Sequence, residues 1–192
     1  LKLEGDVAVD MGDLESAHRA YSDALELDPK YAQVQMDLGK VHEARNDWVA
    51  AEGAYRAALD SLPTFADAGL ALARVYRQAS KPRIAVNLLV EMLSNDPTDL
   101  DALVMLGQCL TDDGRFDEAL QAFERVLVFD DTHIAALFFA GISLGRLRRY
   151  SAAISAWEQV IKLQSDGPYA REARKHVRSA RDLNHIFRTR KD

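Results

Sequence analysis

The sequence predicts an all-α fold made of repeated helical hairpins, and three observations predict it. A set of positions returns every thirty-four residues: Ala17, Tyr21, Ala24 and Pro29 come back as Ala51, Tyr55, Ala58 and Pro63, then as Ala85, Leu89, Met92 and Pro97. Two further copies, Ala119-Phe123-Val126 and Ala153-Trp157-Val160, lack the proline. A fixed period of about 20–50 residues marks an array of stacked units, each packing on its neighbours. Within each copy apolar residues recur at helical spacing, and no segment alternates as a strand would.

Taken in order, each copy opens with a helix A that carries a second recurring column: Gly5, Leu38-Gly39, Leu72-Ala73, Leu106-Gly107 and Ala140-Gly141. A turn follows at Gly12-Asp13, Asn46-Asp47, Ser80-Lys81, Gly114-Arg115 and Arg148-Arg149. Gly and Asn accept the left-handed conformation that ends a helix, and Asp caps the next one. Pro82 suits the first position of its helix, where no N–H is needed. Helix B then carries the Ala-aromatic-Ala column and a third set, Leu25, Leu59, Leu93, Leu127 and Ile161. The small residues of helix A are expected to face the alanines of helix B and let the two helices approach. Pro29, Pro63 and Pro97 are expected to stop helix B.

The repeats divide the chain into 1–31, 32–65, 66–99, 100–133 and 134–167, with 168–192 left over. Leu1 begins part-way into a helix without a methionine, which reads as a piece of a longer protein. Residues 168–192 form an amphipathic helix from Pro168. Tyr169, Ala173, Val177, Ala180, Leu183 and Phe187 share one stripe; Arg171, Arg174, Lys175, Arg178 and Arg181 share the other. A helix with a polar outer side is what a stacked array needs to close its last face. Arg188 to Asp192 are expected to fray.

Composition sets bounds on function. Apolar residues make up 48% and charged ones 28%, the mix of a folded water-soluble domain. No apolar run approaches the ~20 residues that span a bilayer, and no secretory leader is visible. The one cysteine, Cys109, excludes an internal disulfide and a cysteine-built zinc site. It fits a reducing compartment, so a cytoplasmic location is expected. The net charge of −6 is uneven, with −5 over residues 1–31 and +5 over 168–192.

These registered columns resemble the tetratricopeptide repeat family, whose helix-turn-helix unit carries Leu-Gly on helix A and Ala, an aromatic, Ala and Pro on helix B. The resemblance covers residues 1–167 as five repeats, followed by a capping helix. Departures are Met92 and Val126 in a small-residue column, Asp131 in place of a proline, and Leu1 and Gln35 where the family often has tryptophan. The resemblance implies a right-handed superhelical α-solenoid and a non-enzymatic scaffold or adaptor that binds a partner peptide or protein face. It also implies that helix A lines the concave, partner-binding groove.

Carried over by residue, that face takes Lys2, Asp6 and Asp10 from the first repeat. The second contributes Gln33, Met36, Lys40 and Glu43, and the third Asp67, Leu70, Arg74 and Arg77. The last two give Asp101, Val104, Met105, Gln108 and Asp112, then Phe138, Phe139, Ile142 and Arg146. The family's carboxylate clamp for a chaperone tail is not matched. Lys2 fits it, but Asp6, Asp37, Asp67 and Ala71 occupy its other places, and three carboxylates would repel a fourth. The groove grades from acidic through Arg74 and Arg77 to apolar. Either the apolar cluster at Val104, Met105, Phe138, Phe139 and Ile142 anchors a partner, with Arg74, Arg77 and Arg146 reading its acids, or Phe138 and Phe139 pack against neighbouring A helices or under the cap.

No catalytic pattern is present: no Gly-rich phosphate loop, no Gly-x-Ser-x-Gly, no His-Glu-x-x-His. His18, His42, His133, His176 and His185 are scattered over different units and read as surface or packing residues. Cys109 reads as a small buried hydrophobe, and Asp112-Asp113 as a solvated acidic turn rather than a cation site. No enzyme activity, metal or cofactor is expected. Other readings remain open. The chain could be the regulatory or targeting segment of an enzyme or receptor. Its basic helix could contact nucleic acid, which is disfavoured because its aromatics lie on the opposite, apolar face. It could also contact a membrane surface, for which it has the charge and has Tyr169 and Phe187 on the other side. A solvated outer face of the cap is the preferred reading. The acidic and basic ends could also pair head to tail in a salt-sensitive way.

Overall fold

The computed structural model describes the backbone of residues 1–189 and the side chains of residues 1–183. Every regular element among them is an α-helix. The A helices are α1 (Lys2–Asp10), α3 (Ala32–Ala44), α5 (Ala66–Gln78), α7 (Leu100–Asp112) and α9 (Ile134–Arg146). The B helices are α2 (Leu14–Leu27), α4 (Trp48–Ser61), α6 (Pro82–Asn95), α8 (Phe116–Phe129) and α10 (Tyr150–Leu163), and α11 (Pro168–Thr189) follows. The side chain of Phe187 and the expectation of fraying at 188–192 lie outside the described residues.

The turn between A and B is the same in every hairpin. Gly12, Asn46, Ser80, Gly114 and Arg148 all have positive φ, between 57° and 78°. Three are not glycine, so the left-handed turn is imposed there by the packing of the hairpin, against a local cost for an L residue. Asp13 and Asp47 accept the Ser16 and Ala50 N–H groups at 3.0 and 3.1 Å and cap helix B. At the other end helix B stops at the same register in all five hairpins, at Leu27, Ser61, Asn95, Phe129 and Leu163. The prolines are therefore not what ends it. An extended residue, from Asp28 to Gln164, turns the chain whether or not a proline follows.

The contact within each hairpin differs in detail from the sequence expectation. What sits over the helix-A glycine is the aromatic ring of helix B. A Cβ at Gly5, Gly39, Gly107 or Gly141 would lie 2.3 to 2.4 Å from the nearest ring atom of Tyr21, Tyr55, Phe123 or Trp157. Those rings are at most 4% exposed. The third hairpin solves the same problem differently, with Ala73 in the glycine column opposite the smaller Leu89. Its long Met92 is seated by Gly69, where a Cβ would meet the sulfur at 2.5 Å. The departure at Met92 is thus paired with a compensating glycine.

The chain forms two compact units, Leu1–Pro97 and Thr98–Asp192. In the first, Ala8, Ala17, Tyr21, Ala24, Val34 and Val41 make one core cluster. In the second, α11 packs on α10 and α9, and Ala173, Val177 and Ala180 join Leu137, Phe138, Trp157 and Val160. The basic residues of α11 are partly engaged. Arg171 and Arg174 bond the carbonyls of Asp166 and Ser165, and Arg181 pairs with Glu158 at 2.6 Å.

Candidate functional site

In the first unit the A helices place their polar residues a turn apart, and those residues pair with one another. Lys2 donates to both oxygens of Asp6, at 2.9 and 2.8 Å, and lies 3.4 Å from Asp37. Lys40 contacts Asp37 from the other side at 3.1 Å. The hydrogen bond from Lys2 holds the Asp6 carboxyl below the usual carboxylate range, and the same bond raises Lys2. Tyr21 donates to Asp6 at 2.8 Å and Tyr55 to Glu43 at 2.6 Å. Burial, reinforced by those carboxylates, pushes both phenols up. Arg74 stands 3.5 Å from Glu43. The acidic-then-basic gradient read from the sequence is therefore a set of neutralised clusters in this unit.

The predicted groove residues separate by burial. Met36, Gln108 and Phe138 are buried, Phe138 at 6% exposure, so they present little surface to a ligand. Phe138 packs on Tyr169 with ring centroids 5.0 Å apart, and on Phe139 at 5.3 Å. It lies in the core under the capping helix, the second of the two roles the sequence allowed. Glu43, Leu70, Arg77, Val104, Met105, Phe139 and Ile142 are partly exposed. Lys40, Arg74 and Arg146 are exposed.

Two cavities involve residues of the predicted groove. One, of about 260 Å³, lies in the first unit against Asp6, Asp10, Tyr21, Asp37 and Lys40. The other, of about 340 Å³, lies in the second unit against Ile142, Arg146, Tyr150, Trp157 and His176. Sequence reasoning found Ile142 and Arg146 but missed Trp157, His176 and Gly145, which complete the second cavity. The available signal was Gly145 itself, in a column otherwise filled by Val9, Glu43, Arg77 and Thr111. His176 stacks on Trp157 with centroids 4.9 Å apart; burial lowers its pKa. A larger cavity of about 790 Å³ lies among α4, α5 and α6, where Arg56 bonds Glu52 at 2.8 Å and also the Tyr76 hydroxyl. Among the described residues no cluster of three or more His, Cys, Asp or Glu is placed to hold a metal ion, and no helix is long and apolar enough to cross a membrane.

Five helical hairpins in strict register, four of them closed by a ring over a glycine, and a following amphipathic helix define a helical-repeat protein. The family comparison agrees: the tetratricopeptide repeat profile matches residues 2–64 and 70–133. The chain belongs to the tetratricopeptide repeat family, an all-α solenoid fold. Among solved structures it is similar to YrrB, described as a tetratricopeptide repeat protein with an unusual peptide-binding site. That match has 26% identity and a TM-score of 0.74, covering 89% of this chain and 88% of the other. A tetratricopeptide repeat protein from Parabacteroides merdae ATCC 43184 has 19% identity and a TM-score of 0.85, over 96% of this chain and 73% of its own. MamA from Desulfovibrio magneticus RS-1 has 16% identity and a TM-score of 0.76, over 85% and 93%. The last two show likeness of fold alone. No curated protein matches the sequence.

Proposed function

We propose that this chain is a non-enzymatic interaction module that holds a partner peptide, or one face of a partner protein, on its helix-A surfaces. The observation that carries this reading is the retained exposure of that face within each unit. Lys40, Leu70 and Arg74 stay accessible in the first unit, and Val104, Met105, Phe139, Ile142 and Arg146 in the second. Half-buried apolar and aromatic side chains beside arginines are the groups that dominate interface energies, at ~2 kcal/mol or more each on truncation. The peptide-binding site named for YrrB, a relative by fold at 26% identity, supports the same use of this fold.

The partner is not expected to be a chaperone tail held by a carboxylate clamp. Lys2, the one cation in place for it, is already engaged by Asp6 and Asp37. The test is affinity capture with the whole chain, followed by titration of the captured partner against Arg74→Ala and Ile142→Ala variants. Weakened binding with unchanged helical circular dichroism supports the reading. Full affinity in both variants moves the binding surface off helix A.

A further inference from the structure

The fold repeats one junction, whose floor is the helix-B ring of a repeat and whose walls are its own helix A and the A-position helix that follows. One helix-A column sets the character of the junction from repeat to repeat; in the first repeat it is Val9, which lines a cavity with Asp6, Asp10 and Asp37. In the second repeat that position is Glu43, which accepts from the Tyr55 hydroxyl at 2.6 Å and draws in Arg74 at 3.5 Å. In the fourth it is Thr111, whose hydroxyl lies 3.3 Å from that of Ser143, while Phe139 stacks on Phe123 at 6.1 Å between centroids. In both, the protein's own side chains bond or stack across the junction. In the fifth repeat the same position is Gly145, and the junction is the 340 Å³ cavity.

The chemistry of that cavity is specific. A Cβ at Gly145 would lie 3.3 Å from Cη2 of Trp157, so the glycine lets the cavity reach the edge of an indole that is otherwise buried, at 4% exposure. The indole N–H is already bonded to the Phe138 carbonyl at 3.1 Å, so the ring edge that lines the cavity is carbon. Ile142 and Ala180 add apolar wall, and Arg146 stands exposed at the rim. Among the described residues no carboxylate pairs with Arg146. The matching cavity of the first repeat, lined by Asp6, Asp10 and Asp37, has the opposite character. Concave sites of about 300 Å³ or more, mostly apolar with a few placed polar groups, are of ligand-binding size.

We infer that the cavity between α9, α10 and α11 is a subsite for a bulky apolar side chain of a partner peptide, with a neighbouring Asp or Glu of that peptide bound by Arg146. The inference rests on the peptide-binding reading above and adds the class of sequence it selects. A guanidinium with no carboxylate partner among the described residues is the natural partner for one from outside.

The test screens a library of acetylated, amidated hexapeptides against three proteins: the unsubstituted chain, Gly145→Thr and Arg146→Gln. Gly145→Thr restores the residue type that fills the fourth junction. Arg146→Gln alters only an exposed side chain and keeps the test decisive if the first variant misfolds. The expected result is retention of peptides with Phe, Leu or Trp beside Asp or Glu, and a loss of about tenfold or more in affinity with either variant. Peptides that bind all three proteins equally, or that carry Lys or Arg in place of the acid, overturn the subsite and leave the peptide-binding reading standing. A library from which the unsubstituted chain retains nothing overturns both.

Discussion

Replacing Gly107 with alanine puts one methyl group where the structure has no room for it. The new Cβ would lie 2.4 and 2.5 Å from Cε1 and Cζ of Phe123, against an ordinary carbon contact of about 3.5–4.0 Å. The ring must retreat by roughly 1 Å. It is fully buried, with Phe139 stacked beside it, so it has nowhere to go without displacing other side chains. Two terms compete. Glycine to alanine inside a helix gains about 0.8–1.0 kcal/mol, and overpacking a rigid core site costs about 1–3 kcal/mol. The site is rigid, so the cost falls in the upper part of its range and wins, for a net destabilisation of about 1–2 kcal/mol. Gly53→Ala is the internal control. Gly53 is exposed on α4 with no atom within 4 Å of its Cβ, so the same change should stabilise by up to about 1 kcal/mol. The third repeat supplies the rescue, because Ala73 sits opposite Leu89 there. Gly107→Ala combined with Phe123→Leu should recover much of the loss, with a coupling of about 1 kcal/mol or more in a double-mutant cycle. Urea unfolding followed by far-UV circular dichroism reads all five proteins: the parent, Gly107→Ala, Gly53→Ala, Phe123→Leu and the double variant. The ring-over-glycine account is refuted if Gly107→Ala is as stable as the parent, or if the two changes add within about 0.5 kcal/mol.

Other outcomes follow from the same structure. Glu43→Ala strands the Tyr55 hydroxyl that Glu43 accepts from and should cost about 1–3 kcal/mol, whereas Glu43→Gln keeps an acceptor and should cost less; thermal melting compares them. Removing the caps with Asp13→Ala or Asp47→Ala should each cost about 0.5–2 kcal/mol, and a melting point unmoved by either would show that the bonds to Ser16 and Ala50 contribute nothing. His42 and His176 are held low, mainly by burial, with His18 adding its charge against His42 and Lys175 and Arg146 against His176. The unfolded chain therefore takes up their protons first, and stability should fall as pH drops below about 6.5. Urea midpoints measured from about pH 7.5 to about 5.5 should show that slope, and His42→Gln should flatten it.

The helices, the turns and the hairpin pairing were legible in the sequence because five copies vote on each column. A left-handed turn at Arg148 would not be proposed from that residue alone; its place beneath Gly12, Asn46 and Gly114 makes it plain. Charge pairing was not legible. Lys2 with Asp37, Glu15 with Arg45 and Glu43 with Arg74 join neighbouring repeats at separations no helix periodicity marks, so acids and bases that neutralise each other read as separate patches. Phe138 looked like Ile142 for a similar reason. Both lie on helix A, and only the placement of α11 over Phe138 distinguishes a core residue from a surface one. The open junction at Gly145 escaped notice because a missing side chain leaves no mark in a search for functional groups.

Gly5, Gly39, Gly107 and Gly141 are each matched to a ring sixteen positions further along the same hairpin. The fit that closes a hairpin is thus inherited with it as one heritable cassette. Duplication or unequal crossing-over that moves a thirty-four-residue block carries both halves of the fit together, and leaves the junction columns free to drift toward new ligands.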